Sequence, residues 1–241
     1  MINFASLLVP DKDQDARPIH LVDKSNFPAW LKKRPAEDRY LLQHQAFDAK
    51  APFAYALLPR GGEFEVVASV KSTSQLSPWC LAKLSESLPE GTYRLVQGEP
   101  GEAALGWLLA QNRFDDYRSK DKEPARGPRV LVTSEAARIE GFVRLAEASA
   151  LVRDLVNMPA LDLGPARLEQ IVRDEATRLG AQVQVASGAQ LKNGFPLIAA
   201  VGGAAVDERA PRLIELQWGK PEDPRVAVIG KASALTAAAL I

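Results

Sequence analysis

Cysteine is almost absent. Cys80 is the only one in 241 residues, so an internal disulfide is excluded and the chemistry suits a reducing compartment such as the cytoplasm. With no second cysteine or histidine near it in sequence, Cys80 reads as a small buried hydrophobe. Histidine is nearly as scarce: His20 and His44 are too few and too isolated to make a zinc site. No run of about eighteen uninterrupted apolar residues occurs, which argues against a membrane span. The first residues carry a short apolar stretch broken quickly by charges, unlike a secretory leader. Charge of one sign is also missing, because thirty basic and thirty acidic side chains cancel to a sequence pI near 6.8. Neither nucleic acid nor an acidic membrane surface is therefore an expected partner. Gly61-Gly62 and Gly202-Gly203 lack the spacing and the following Lys-Ser/Thr of a phosphate loop. No serine sits in a Gly-x-Ser-x-Gly elbow.

What is present is ordinary globular material, 46% hydrophobic and 25% charged, in a chain long enough for one large domain or two smaller ones. Up to about Arg129, strand-like and helical runs alternate. Phe53–Leu58 and Phe64–Val70 flank Pro59-Arg60-Gly61-Gly62, whose glycines suit a tight reversal, so a hairpin is expected. Leu76–Leu88 and Gly101–Phe114 read as helices, and Thr92–Val96 and Arg129–Thr133 as strands. The polar stretch Asp115–Pro128 reads as a solvated loop. The acidic pairs Asp115-Asp116 and Asp207-Glu208 fall in expected loops, where solvation accounts for them.

A long helix is expected from Ser134, as its cap, to Asn157. Ile139, Val143, Ala146 and Ala150 form one row, and Phe142, Leu145, Ser149, Val152 and Val156 the row beside it. This face is broad enough to pack on protein along both rows. Beyond Leu161, Gly164-Pro165 opens a helix to Leu179 that Gly180 closes, followed by a strand over Gln182–Ala186. Arg212–Trp218 and Arg225–Ile229 are β-rich runs separated by a Gly/Pro-containing turn. The pattern is the opening of an α/β domain.

Five blocks in this last region carry a resemblance. Arg153-Asp154-Leu155-Val156-Asn157-Met158-Pro159-Ala160, then Leu163-Gly164-Pro165-Ala166-Arg167-Leu168, then Phe195-Pro196 with Ala200-Val201-Gly202, then Arg209-Ala210-Pro211-Arg212-Leu213-Ile214, and finally Val226-Ala227-Val228-Ile229-Gly230-Lys231 stand in the order of the leucyl (cytosol) aminopeptidase family. The chain resembles the front half of that family. The resemblance implies an α/β fold: a small amino-terminal α/β domain over residues 1–133, a bridging helix over 134–160, and the first part of an α/β aminopeptidase catalytic domain over 161–241. It also implies a cytoplasmic homo-hexamer that removes amino-terminal residues from peptides with two divalent metals (zinc, manganese or magnesium). Of the family's metal ligands only one position is matched, Lys231, at the end of an expected strand. A lysine ligates a metal only as the neutral amine, which an adjacent dication favours.

After Lys231 the family continues with a stretch like Gly-Val-Cys-Phe-Asp-Ser-Gly-Gly-Leu-Asp, whose first aspartate is a ligand. Here the sequence is Ala232-Ser233-Ala234-Leu235-Thr236-Ala237-Ala238-Ala239-Leu240-Ile241, with Thr236 at the aspartate's position. A reading-frame shift accounts for all ten residues. Removing one G from GGC GTC TGC TTT GAC AGC GGC GGC CTT GAT C gives GCG TCT GCT TTG ACA GCG GCG GCC TTG ATC, which translates as the observed tail. The expectation is a one-base deletion after the Lys231 codon, real or a sequencing error, leaving 241 residues that hold no complete metal site, are inert alone, and expose apolar faces and the open edge of Arg225–Ile229. The competing expectation is a non-catalytic binding or assembly module built on the amino-terminal domain. Such domains of the family resemble macro-type folds, which leaves room for a nucleotide-like ligand that nothing in this sequence specifies.

Overall fold

The computed structural model describes residues 2–117 and 127–231. The expected loop Asp115–Pro128 lies largely outside them, and so does the alanine-rich tail. The described residues fall into two compact units, Met1–Arg153 and Asp154–Ile241.

The first unit is a six-stranded sheet between helices. In chain order it comprises β1 (Leu8–Pro10), β2 (Arg17–Val22), α1 (Phe27–Lys32), α2 (Ala36–His44), β3 (Tyr55–Arg60), β4 (Glu63–Ser69), α3 (Ala82–Ser87), β5 (Gly91–Leu95), α4 (Ala103–Leu109), β6 (Arg129–Thr133) and α5 (Ala136–Asn157) up to Arg153, the last turn of α5 belonging to the second unit. The strand order is β1-β6-β5-β2-β4-β3, all parallel except β3 against β4. That single antiparallel pair is the expected hairpin. Gly61 and Gly62 both take positive φ, +53° and +102°, as a two-residue reversal demands.

Parallel sheets are buried on both faces, and alternation along β2 shows how this chain divides them. Ile19 and Leu21 join a core with Val66, Tyr93, Leu131 and Trp107, beneath α3, α4 and α5. Val22 faces the other way, joining Val67, Leu58, Phe27 and Leu42 under α1 and α2. Register fixes the centre: Leu131 lies opposite both Leu8 and Tyr93, and Ile19 opposite both Val66 and Leu95. Cys80 is buried, as its isolation in sequence suggested, with the Ser77 backbone N–H at 3.2 Å from its Sγ.

Three expected helices are altered. The run from Leu76 is helical only over Ala82–Ser87, because Pro78 disfavours a helical Ser77 before it. The run from Gly101 shortens to Ala103–Leu109, and Gln111 beyond it bonds to both backbone groups of Arg129 instead. At the start of α5, Ser134 is not the cap. Its hydroxyl donates to Glu99, while Thr133 Oγ1 accepts from the Glu135 N–H at 3.1 Å. α5 is covered along Val143, Ala146 and Ala150 of the first row and at Phe142 of the second, whereas Leu145, Val152 and Val156 of the second row are exposed.

A charged cluster sits between β2, β4 and α2. Asp38, 1% exposed, accepts from Arg34 Nε at 2.8 Å and from Arg60 at 2.7 Å. Glu65 pairs with Arg34 and Arg60 and reaches His20 Nε2 at 3.3 Å. His20 also packs on Trp30. Burial, then the Arg34 charge, push the His20 imidazole below its ordinary 6.5, against the pull of Glu65. A group with a depressed folded pKa binds fewer protons folded than unfolded, so its contribution is complete above 6.5 and is lost as pH falls below that value. We therefore expect the thermal midpoint to drop between about pH 7 and about pH 5, and His20→Phe to flatten that drop. An identical decline in the variant, followed by circular dichroism, would remove His20 as its cause. Asp38 and Glu65 act in a lower window. Burial works to raise both, the two guanidiniums outweigh it, and both carboxyls lie below their ordinary values.

The second unit is sparser: α6 (Pro165–Leu179), β7 (Gln182–Ser187), α7 (Gly188–Gly194), α8 (Pro196–Val201) and β8 (Arg212–Gln217). Gly180 ends α6 in the left-handed conformation, φ +68°, and the Ala181 N–H returns to the Ala176 carbonyl at 2.8 Å. β7 and β8 pair antiparallel, Val185 opposite Ile214. Glu169 on α6 is held by Arg173 at 2.8 Å and by Arg212 on β8. The expected strand Arg225–Ile229 does not form. It has no ladder partner among the described residues, and a lone extended segment satisfies none of its backbone groups. Val226, Val228 and Ile229 are 86–95% exposed.

Candidate functional site

Lys231 lies outside any helix or strand, at the end of an exposed segment. The strand that sequence reasoning placed before it is absent, so nothing in the described fold fixes where its amine points. Among the described residues, no group of three or more His, Cys, Asp or Glu side chains could hold a metal. A dinuclear centre needs several oxygen donors around each ion. The donors present here do not fit one.

Other polar constellations are structural. Asp23 follows β2 and accepts from the Ser25 hydroxyl, the Asn26 N–H, and the Thr73 N–H and hydroxyl at 2.5–3.0 Å. The Ser25 hydroxyl first, then Thr73 and Asn26, hold its carboxyl far below the usual range despite burial. With five donors on two oxygens it clamps two loops and has little accepting capacity left. Glu99 accepts from Thr133 Oγ1 at 2.8 Å and from the Ser134 hydroxyl at 2.6 Å, tying the turn before α4 to the start of α5. A shallow open groove lined by Phe53, Trp79, Ala82, Lys83, Glu86 and Ala110 holds an ion pair at 4.0 Å and no nucleophile. Sequence reasoning found neither the Asp23 nor the Glu99 network, because the bonds that close them join residues 34 to 50 apart and no periodic pattern marks them. His44 packs on the Tyr40 ring with centroids 4.0 Å apart, and its Nδ1 lies 3.1 Å from the Tyr40 carbonyl. Asp207 and Glu208 fall in a single 3-10 turn.

Comparison with known proteins decides the family. Residues 17–128 match the family model described as the M17 aminopeptidase N-terminal domain, and residues 150–234 match the cytosol aminopeptidase family catalytic domain. The chain belongs to the cytosol aminopeptidase family. It is 36% identical over 137 residues to a probable cytosol aminopeptidase of Corynebacterium diphtheriae, covering 54% of this chain and 27% of that protein. It is 34% identical over 139 residues to the one of Agrobacterium fabrum, covering 53% and 28%. Among solved structures, the cytosol aminopeptidase of Coxiella burnetii superposes with a TM-score of 0.77 at 26% identity, over 90% of this chain and 47% of that one. The bottromycin maturation enzyme BotP, solved in complex with Mn, shares the fold with a TM-score of 0.66 at 24% identity, over 86% and 46%.

The chain thus spans just over a quarter of the curated relatives' length and about half of the solved ones. Its mixed α/β architecture with a mainly parallel sheet matches the amino-terminal and early catalytic region of these aminopeptidases. No helix of the described residues is long and apolar enough to cross a membrane.

Proposed function

We propose that these 241 residues are the amino-terminal domain, bridging helix and first part of the catalytic domain of a metal-dependent peptidase that removes amino-terminal residues from peptides, divided at residues 133 and 160. The observation that carries the reading is that two successive segments match the two successive domains of one family in the right order. Lys231 falls inside the matched catalytic segment and is our candidate for the first metal ligand. The intact enzyme is cytoplasmic and hexameric, takes zinc, manganese or magnesium, and acts on peptides, not on nucleic acid or membranes. With Lys231 as its only matched ligand position, the 241-residue chain assembles no two-metal centre and is inert alone.

The tail supports a frame shift as the reason. The family match ends at residue 234, three residues past Lys231, and residues 232–241 are reproduced by removing one base from a family-like coding sequence. The nucleotide sequence downstream of the Lys231 codon tests this. A family-like continuation in the adjacent frame is expected; an uninterrupted frame with no such continuation would overturn the deletion.

One observation favours a second reading, a binding or assembly module: the first unit has a complete core of its own, whereas the described residues hold no metal-competent cluster. Stabilisation of the chain by nucleotides in a thermal-shift screen would favour the module, and stabilisation by manganese or zinc would favour a surviving metal site.

A further inference from the structure

Phe53 holds a backbone conformation that an aromatic residue adopts only under constraint. Its φ is +67°, in the left-handed region where a bulky side chain costs free energy. Ser69, the last residue of β4, supplies the constraint. The Phe53 N–H donates to the Ser69 carbonyl and the Ser69 N–H to the Ala54 carbonyl, both at 2.8 Å. The Ser69 hydroxyl donates to the Ala51 carbonyl as well. Strain that neighbours over-determine in this way clusters where a side chain is presented to a ligand. Phe53 is 43% exposed, so core burial does not account for its placement.

The residue lines the open groove on α3, whose volume is about 380 Å³, within the range of small-molecule sites. Trp79, 51% exposed just before α3, lines it too, with Ala82 and with Ala110 at the end of α4. Aromatic walls around a small apolar floor are the usual contact surface of such a site. Its charged groups are one cation and one anion, Lys83 and Glu86 of α3, with Nζ and Oε2 4.0 Å apart and both side chains more than half exposed. An exposed pair at that distance contributes little to stability, so both heads can turn to a ligand at small cost. All six lining residues belong to the first unit and to the matched segment 17–128.

The charges define the ligand. A simple anion or a simple cation would meet its own sign on one of the two heads. A molecule carrying both signs a short distance apart satisfies both together. An α-amino acid has its ammonium and carboxylate on one carbon, whereas a dipeptide sets them a further residue apart, about 3.8 Å along the chain. The apolar walls select a side chain of the same character.

We propose that this groove binds a free α-amino acid with an apolar side chain. Lys83 takes the carboxylate, Glu86 takes the ammonium, and Trp79 and Phe53 flank the side chain. Neither Lys231 nor a metal takes part. The peptidase reading supplies only a source, since each residue released from a peptide's amino terminus is a free α-amino acid.

The test is titration of the 241-residue chain with L-leucine in excess chelator, followed by calorimetry and by the tryptophan indole N–H signals in NMR spectra. Saturable binding with a Kd of about 1–10 mM is expected. Of the four indole signals, the one that Trp79→Phe removes should shift. Leucinamide lacks the carboxylate, N-acetyl-leucine the ammonium and glycine the apolar side chain; each should bind about ten-fold more weakly or worse. Lys83→Glu and Glu86→Lys, at exposed positions, should each weaken leucine binding by a similar factor with the circular dichroism spectrum unchanged. Absence of saturable binding overturns the proposal, as does a shift confined to the other indoles or binding that survives both charge reversals. Leucinamide or N-acetyl-leucine binding as tightly as leucine overturns the assignment of the ligand. Binding seen only without chelator overturns this site and favours a metal centre, so the groove and the peptidase reading fail separately.

Discussion

Replacing Trp107 with alanine is expected to cost about 3–5 kcal/mol, the largest loss of stability that any single core truncation in the first unit should produce. Trp107 is fully buried in α4 and packs edge-on against Tyr93 with ring centroids 5.7 Å apart. Its Nε1 donates to the Arg129 carbonyl at 2.9 Å, so it ties α4 to the first residue of β6. The alanine variant removes the ring, opens a cavity beneath the centre of the sheet and takes away a donor that this carbonyl shares with Gln111. Trp107→Phe separates the two contributions. It keeps most of the packing and should cost about 1–2 kcal/mol, chiefly the lost hydrogen bond. A domain of this size has about 5–15 kcal/mol in all, so the alanine variant stands near the limit of folding. Urea unfolding followed by far-ultraviolet circular dichroism measures both. A loss under about 1 kcal/mol for the alanine variant would mean that the core closes over the vacated space and that Trp107 is not its centre.

Which parts of this fold the sequence makes legible follows from the range of the forces involved. The β3–β4 reversal is local: two adjacent glycines with positive φ specify it, and it was expected at the right place. α6 is equally local, opened by Gly164-Pro165 and ended by the left-handed Gly180. α5 was expected as a long helix, but its second row was expected to be covered. Leu145 and Val152 are more than half exposed, because periodicity records which residues are apolar and not whether a partner is present. Pro78 was the signal that should have shortened the helix expected from Leu76. The Asp38–Arg34–Arg60–Glu65–His20 cluster was invisible, since Arg34 and Glu65 are 31 residues apart and only the packing of α2 on the sheet brings them together. At the candidate site the limit is different. Val226-Ala227-Val228-Ile229 has strong strand character, but a strand is a relation between segments. Without a neighbour its β-propensity orders nothing. Lys231 could therefore be identified by resemblance, while no site geometry could be read from its surroundings.

The same reasoning sets the last expected result. An enzyme in which residues 232–241 are replaced by a Gly-Val-Cys-Phe-Asp-like stretch and the rest of a family catalytic domain, the restored enzyme of the proposed frame shift, should hydrolyse aminoacyl chromogenic substrates. The 241-residue chain should not. The gap should be on the order of 10⁶ or more in rate, because peptidase acceleration comes from an assembled site and falls to background without it. The restored aspartate would stand where Thr236 is now, replacing a neutral hydroxyl with the first anionic donor beside the Lys231 amine. The added strands would give Arg225–Ile229 the ladder it lacks, fixing the lysine at a strand end, where α/β sheets hold their sites. Lys231→Ala in the restored enzyme separates the two effects. Loss of activity with an unchanged thermal midpoint would identify the amine as part of the site, whereas a parallel fall in both would make it structural. Chelator-sensitive hydrolysis by the purified 241-residue chain, at a rate comparable to the restored enzyme, would show that a metal site forms without the carboxylates beyond Lys231. The reading of this chain as an incomplete catalytic domain would then be wrong.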